Sequence, residues 1–236
     1  MDTIATYFAE FDFRPLAVSL KTSLVASAIV VILGILAAFK TLGAHRRLKG
    51  WLDSVFTLPM VLPPTVVGYF LLVIFGNSTP IGRFLIGHGL RLIFSWPATV
   101  LAATAVAFPL MYRTVRAAFE QVDPDMLDAA RTLGFSEAKI LRRVLLPLSW
   151  PGVMAGTVLS FARAMGEFGA TLFVAGNLPG VTQTMPIAVY FSWASGDLVT
   201  AGVWVALIVA ISCAAVFGIN GYMARGNRFR EADAAR

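Results

Sequence analysis

Five apolar runs, at residues 16–39, 51–75, 95–112, 148–175 and 199–222, point to lipid rather than water around most of this chain. A bilayer core about 30 Å thick is crossed by roughly 20 apolar residues in a helix. Backbone left unpaired in hydrocarbon is so costly that only helices and closed barrels span it. None of the five runs alternates polar and apolar residues as a barrel strand does, so helices are expected. Composition agrees: 58% of the residues are hydrophobic and 14% charged, where soluble domains carry about 45–50% and about 25%. The expected fold is an all-α integral membrane domain over 1–236, a bundle of about five transmembrane helices.

Several function classes fall away. The net charge of +6 does not mark a nucleic-acid binder, because the basic residues lie between apolar runs rather than on one face of a soluble domain. The first run follows the acidic residues Asp2, Glu10 and Asp12 and is longer than a signal-peptide core, so it reads as a retained anchor. Cys213, a lone cysteine in an apolar stretch, reads as a small core residue with no disulfide. No cluster of His, Cys and carboxylates offers metal ligands, and His45 and His88 are loop residues far apart in the chain. Two short runs, 81–94 and 185–194, are too short or too charged to cross and read as interfacial or re-entrant pieces on the outer side.

Orientation follows from Lys and Arg in the connections. Lys40, Arg46, Arg47 and Lys49 follow the first run; Arg113, Arg116, Arg131, Lys139, Arg142 and Arg143 follow the third; Arg225, Arg228, Arg230 and Arg236 follow the fifth. The opposite side has only Arg14, Lys21, Arg83 and Arg91. The basic side is expected to be cytoplasmic, which puts the N-terminus outside and the C-terminus inside. Lys21 is expected to snorkel to the outer interface.

Small residues mark where helices approach one another. Gly202, Ala206, Ala210, Ala214 and Gly218 recur at every fourth position, as do Gly152 and Gly156; packing inside the bundle is expected for both sets, with a dimer interface the alternative for either. Pro59, Pro63 and Pro64 interrupt the second run, which predicts a kinked or discontinuous helix.

The longest connection on the basic side, 120–147, differs in character. Met126, Leu127, Ala130 and Leu133 recur at helical spacing, Gly134 ends that helix, and Ser136 is placed to cap a second one carrying Ile140, Leu141 and Val144. The result is a helix–turn–helix on the membrane face, apolar side chains beside charges, which fits either a partner surface or a passive amphipathic loop.

Here the residues resemble a family. Asp128-Ala129-Ala130, three residues, Gly134, nine residues, Val144, one residue, then Leu146-Pro147 is similar to the EAA loop of permeases from ATP-binding cassette importers. The family pattern has Glu where Asp128 stands and Ile where Val144 stands. The segments from Asp53 to Tyr69 and from Phe161 to Thr171 further resemble the molybdate and sulfate permease family, and Phe94-Ser95-Trp96-Pro97 resembles its molybdate members more than its sulfate members. The resemblance implies that Asp128, Ala129, Ala130, Gly134, Val144, Leu146 and Pro147 belong to a cytoplasmic coupling loop docked on a separate ATPase. It implies a homodimer in the cell membrane, two ATPase copies beneath it, and an extracytoplasmic oxyanion-binding protein above. ATP would be bound by the partner and no cofactor by this chain. Consistently, no phosphate-binding loop of the form Gly, four residues, Gly-Lys-Ser/Thr occurs here. A sulfate permease, a secondary transporter and a passive membrane anchor are the alternatives; the second predicts an inverted repeat and relay carboxylates, and neither is visible.

Arg163 and Glu167 are opposite charges four residues apart inside the fourth run, flanked by Gly166 and Gly169. Intramembrane charges usually face the bundle interior or a water-filled cavity. Two readings stand: Arg163 adds positive potential along an anion path with Glu167 fixing its rotamer, or the pair is a buried bridge locking the helix to a neighbour. The glycines are expected to weaken the helix into a gate or bend.

Overall fold

A computed structural model describes residues 11–234, with side chains described as far as Gly218; Asp2, Glu10, Arg225, Arg228, Arg230 and Arg236 fall outside these. Among the described residues the chain is helical with no strand. The helices are α1 (Arg14–Leu42), α2 (Arg46–Val61), α3 (Pro64–Phe75), α4 (Pro80–Gly87), α5 (Trp96–Glu120) and α6 (Pro124–Thr132). They continue with α7 (Glu137–Leu148), α8 (Trp150–Met165), α9 (Gly169–Ala175), α10 (Met185–Ala194) and α11 (Leu198–Ala234).

Three helices are each long and apolar enough to cross a bilayer: α1, α5 and α11 as far as Gly218. Two bent pairs, α2 with α3 at 112° and α7 with α8 at 81°, raise the number to five if each counts as one span. The second run is therefore not one rod. Pro59 is tolerated inside α2, and the chain turns at Leu62 and Pro63, both extended, before Pro64 starts α3. Two adjacent prolines remove two backbone donors and force the residue before each out of the helical region. The third run was expected to end near residue 112, but α5 continues to Glu120. Hydropathy falls at Arg113, yet the helix does not stop there.

One apolar core is continuous from the membrane helices into the connection that follows α5. Val30 and Ala38 of α1, Met111, Val115 and Phe119 of α5, and Val153 of α8 share it with Leu127 and Ala130 of α6 and with Ile140 and Leu145 of α7. Polar contacts tie α1 to α5 as well. The Thr22 and Thr99 hydroxyls lie 2.9 Å apart and the Trp96 indole N–H donates to Thr22 at 3.1 Å. The exposed Lys21 places its ammonium 3.9 Å from the centre of the Trp96 ring, a cation–π contact.

The two small-residue sets behave differently. A Cβ on Gly152 would meet Ala118 Cβ at 2.3 Å and one on Gly156 would meet Met111 Sδ at 2.9 Å, so these glycines let α8 lie against α5 as expected. Gly202, Ala206, Ala210, Ala214 and Gly218 instead face outward, and nothing lies within 4 Å of a Cβ on Gly202 or Gly218. Cys213, on the same helix, is also exposed rather than in the core. The segment 185–194 folds as α10, shorter than a span, and packs on α1: Met185 and Ile187 are fully buried, and the Met185 N–H donates to Ser19 Oγ at 2.7 Å.

Candidate coupling surface and broken-helix site

The connection 120–147 folds as the expected pair of helices. Asp123 caps α6 by accepting from the Asp125 N–H at 2.9 Å. At the other end Gly134 takes φ +75, with the Gly134 N–H donating to Arg131 O and the Phe135 N–H to Ala130 O. That is the double-bonded glycine cap that satisfies the last carbonyls of a helix. Ser136 precedes α7, but its hydroxyl makes no capping bond; only its carbonyl accepts, from the Lys139 and Ile140 N–H groups. Arg131 reaches Asp128 at 2.7 Å and Glu137 at 2.9 Å, bridging the two helices on the exposed side.

The motif residues divide by orientation. Ala130 is buried, and Val144 and Leu146 pack on the main core, so these three hold the hairpin against the bundle. Asp128, Ala129, Gly134 and Pro147 are exposed. Met126 (53% exposed) and Leu133 (76%) lie on the same open face of α6 as Ala129, three and four residues away. Around Pro147, whose ring would crowd the carbonyl four residues back, α7 widens to a π-turn at Leu141–Leu145 closed by the Leu146 N–H on Leu141 O. The chain then bends at Ser149, whose hydroxyl donates to Ala118 O at 3.2 Å.

The second candidate site is a break in the fourth run. α8 stops at Met165, Gly166 to Phe168 are not helical, and α9 starts at Gly169. Glu167 lies beyond the helix end yet is 2% exposed. Its Oε1 accepts from the Ala170 N–H at 2.8 Å and so caps α9. Its Oε2 lies 2.9 Å from Arg163 Nη1, an ion pair whose angles are not those of a hydrogen bond. Arg163 is one-third exposed. Among the described residues the pair and the Ala170 bond join the two halves of its own broken helix, and no ion pair from it to another helix is formed. Gly169 is needed for close approach: a Cβ there would meet Thr65 Cγ2 at 3.1 Å and Thr65 N at 3.2 Å.

A charged network that sequence reasoning did not assemble joins α2 to α5. Asp53 accepts from the Tyr112 hydroxyl at 2.6 Å and pairs with Arg116. Arg116 also pairs with Glu120 at 3.0 Å, and Lys49 with Glu120 at 2.7 Å. Only the Arg116–Glu120 spacing of four was visible in sequence. Among the described residues no group of three or more His, Cys, Asp or Glu is placed to hold a metal ion.

Comparison with known proteins agrees with this architecture. The pattern of the family described as binding-protein-dependent transport system inner membrane component matches residues 30–229. The chain is 45% identical over 88% of its length, and 92% of the relative's, to a putative molybdenum transport system permease protein, YvgM, of Bacillus subtilis. It is 44% identical over 76% of its length, and 79% of the relative's, to the molybdenum transport system permease protein ModB of Escherichia coli K12. Sulfate transport system permease protein CysT of Salmonella typhimurium is 31% identical over 89% of the chain and 76% of the relative. Among solved structures, a bacterial ABC transporter for alginate import has a TM-score of 0.74 at 17% identity, covering 95% of this chain and 83% of that one. The MetNI methionine ABC transporter has a TM-score of 0.65 at 16% identity, covering 90% and 93%. With several apolar helices and no phosphate-binding loop of its own, this multi-pass membrane chain belongs to the family of binding-protein-dependent transport system inner membrane components, permease subunits of ABC importers.

Proposed function

We propose that the chain is the permease subunit of an ATP-driven importer of molybdate. The observation that carries the substrate is the higher identity to molybdenum permeases, 45% and 44%, than to the sulfate permease, 31%. Tungstate, with the same charge and nearly the same size, is carried by the same path. The chain acts as a homodimer with two copies of a cytoplasmic ATPase and an extracytoplasmic oxyanion-binding protein, and binds no nucleic acid. ATP stays on the partner. The excess of Lys and Arg beside α2 and α6 supports an outside N-terminus and a cytoplasmic C-terminus.

The α6–α7 hairpin is the coupling loop. Its exposed face, Met126, Ala129 and Leu133 with Asp128 beside them, enters a groove on the ATPase, while Ala130, Val144 and Leu146 anchor it to the bundle. An exposed apolar face rimmed by the Asp128, Arg131 and Glu137 charges supports a partner surface. Arg163, Glu167, Gly166 and Gly169 form the bend beside the anion path. Arg163 supplies positive potential, and Glu167 keeps it from trapping the ion. Reconstitution with the ATPase and binding protein in liposomes tests this: molybdate and tungstate are expected to stimulate hydrolysis and enter, and sulfate to do neither at equal concentration. Equal stimulation by sulfate would overturn the assignment.

A further inference from the structure

The half-helix α2 is attached to the rest of the protein in an unusual way. None of its residues is buried, and Trp51, Val55, Leu58, Met60 and Val61 all stand exposed. Its C-terminal end leads into the 112° turn at Pro63, whereas α3 beyond that turn is packed backbone to backbone on α9 through Gly68. So α3 is clamped on α9, while α2 meets the rest of this chain chiefly on α5. Phe56 sets its ring edge-on against Phe108 and Tyr112, at 5.5 and 5.1 Å, and the charged groups Lys49 and Asp53 reach α5.

The place they reach is specific. Glu120 is the last residue of α5, and Asp123, three residues on, caps α6. Glu120 holds Lys49 at 2.7 Å and Arg116 at 3.0 Å, and Arg116 in turn holds Asp53 and lies 3.3 Å from the Tyr112 hydroxyl. Tyr112 is fully buried and cannot shift without disturbing the core. The network thus has one fixed post, Tyr112, and one end at the root of the coupling hairpin. Asp53, Arg116 and Glu120 themselves line an open cavity between α2 and α5, together with Ser54, Thr57, Arg113 and Ala117.

We propose that Lys49, Asp53, Arg116 and Glu120 form a latch that fastens α2 to the root of the coupling hairpin and transmits the hairpin's displacement to this half-helix. Lys49 and Asp53 are positioning residues of the transport cycle. A pull on α6 moves Glu120 away from Lys49, shifts Arg116, and frees or re-seats α2 about the Pro63 turn. The inference rests on the permease reading above.

The test uses the complete complex in liposomes, in a Cys213→Ser background with spin labels at Ser54→Cys and Ala117→Cys. The parent is expected to change its label distance between the nucleotide-free and ATP–vanadate-trapped states. Lys49→Gln with Asp53→Asn is expected to keep the ATPase bound and hydrolysing, lose the nucleotide-dependent distance change, and take up molybdate at least about fivefold more slowly. Lys49→Arg with Asp53→Glu is expected to recover both. Lys49→Gln alone, which leaves the Asp53 contacts in place, is expected to lose less. A neutralised chain with parental uptake and the parental distance change overturns the latch. A parent that fails to retain the ATPase overturns the permease reading itself, a different result read in a different lane.

Discussion

Gly169 and Thr65 touch across the two places where membrane helices are broken. A Cβ on Gly169 would sit 3.1 Å from Thr65 Cγ2, and Thr65 is the second residue of α3, just past the turn at Pro63. Further along, a Cβ on Gly68 would meet Ala170 Cα and Phe173 Cβ, each at 2.8 Å. The half-helices α3 and α9 are therefore closely packed on one another, and the two broken spans meet at their breaks. Irregular backbone survives in lipid where protein covers it; here each break covers the other.

Gly68→Ala is expected to destabilise, because the obstructing atoms are the backbone and Cβ of α9, which cannot rotate away. A cost of about 1–3 kcal/mol follows from overpacking of this kind. Thermal unfolding in detergent should show a lowered Tm. Gly202→Ala, with nothing within 4 Å, should stay within about 0.5 kcal/mol of the parent in the same assay.

Glu167→Ala removes both the cap on α9 and the partner of Arg163. We expect a loss of about 2–4 kcal/mol, discounted from a fully buried pair because Arg163 is one-third exposed. Glu167→Gln keeps an acceptor for the Ala170 N–H and should lose less. The transport role is tested separately: Arg163→Gln with Glu167→Gln should fold and take up molybdate slowly, and normal uptake would remove the pair from the anion path.

Gly134→Asp tests the hairpin. The left-handed φ of +75 costs a non-glycine residue about 1–2 kcal/mol, and no atom lies near enough to clash. The protein should fold and its yield should hold, while the ATPase no longer co-purifies because the turn between α6 and α7 carries a new charge at the docking face. Retained ATPase binding would contradict the docking assignment.

Much of this was legible in sequence, for local reasons. Gly134 ends α6, Pro63 and Pro64 break the second run, and Arg163 meets Glu167, because each depends on residues within four positions. What failed depends on the rest of the fold. The stripe from Gly202 to Gly218 marks a face of α11, but periodicity alone does not say whether that face looks inward, and it looks out. Arg113 and Arg116 lowered hydropathy and hid the last two turns of α5. Asp53 meets Tyr112 across 59 residues, a pairing no spacing rule reveals.

If the open face of α6 carries force from the ATPase, docking must cover Ala129 and Leu133. Single cysteines at Ala129 and Leu133, in a Cys213→Ser chain, can be labelled with a water-soluble maleimide before and after the ATPase is added. Ready labelling of the lone chain is expected, at a residue 76% exposed in the case of Leu133, with strong protection in the complex. Equal labelling in both states, with the ATPase demonstrably bound, would contradict it.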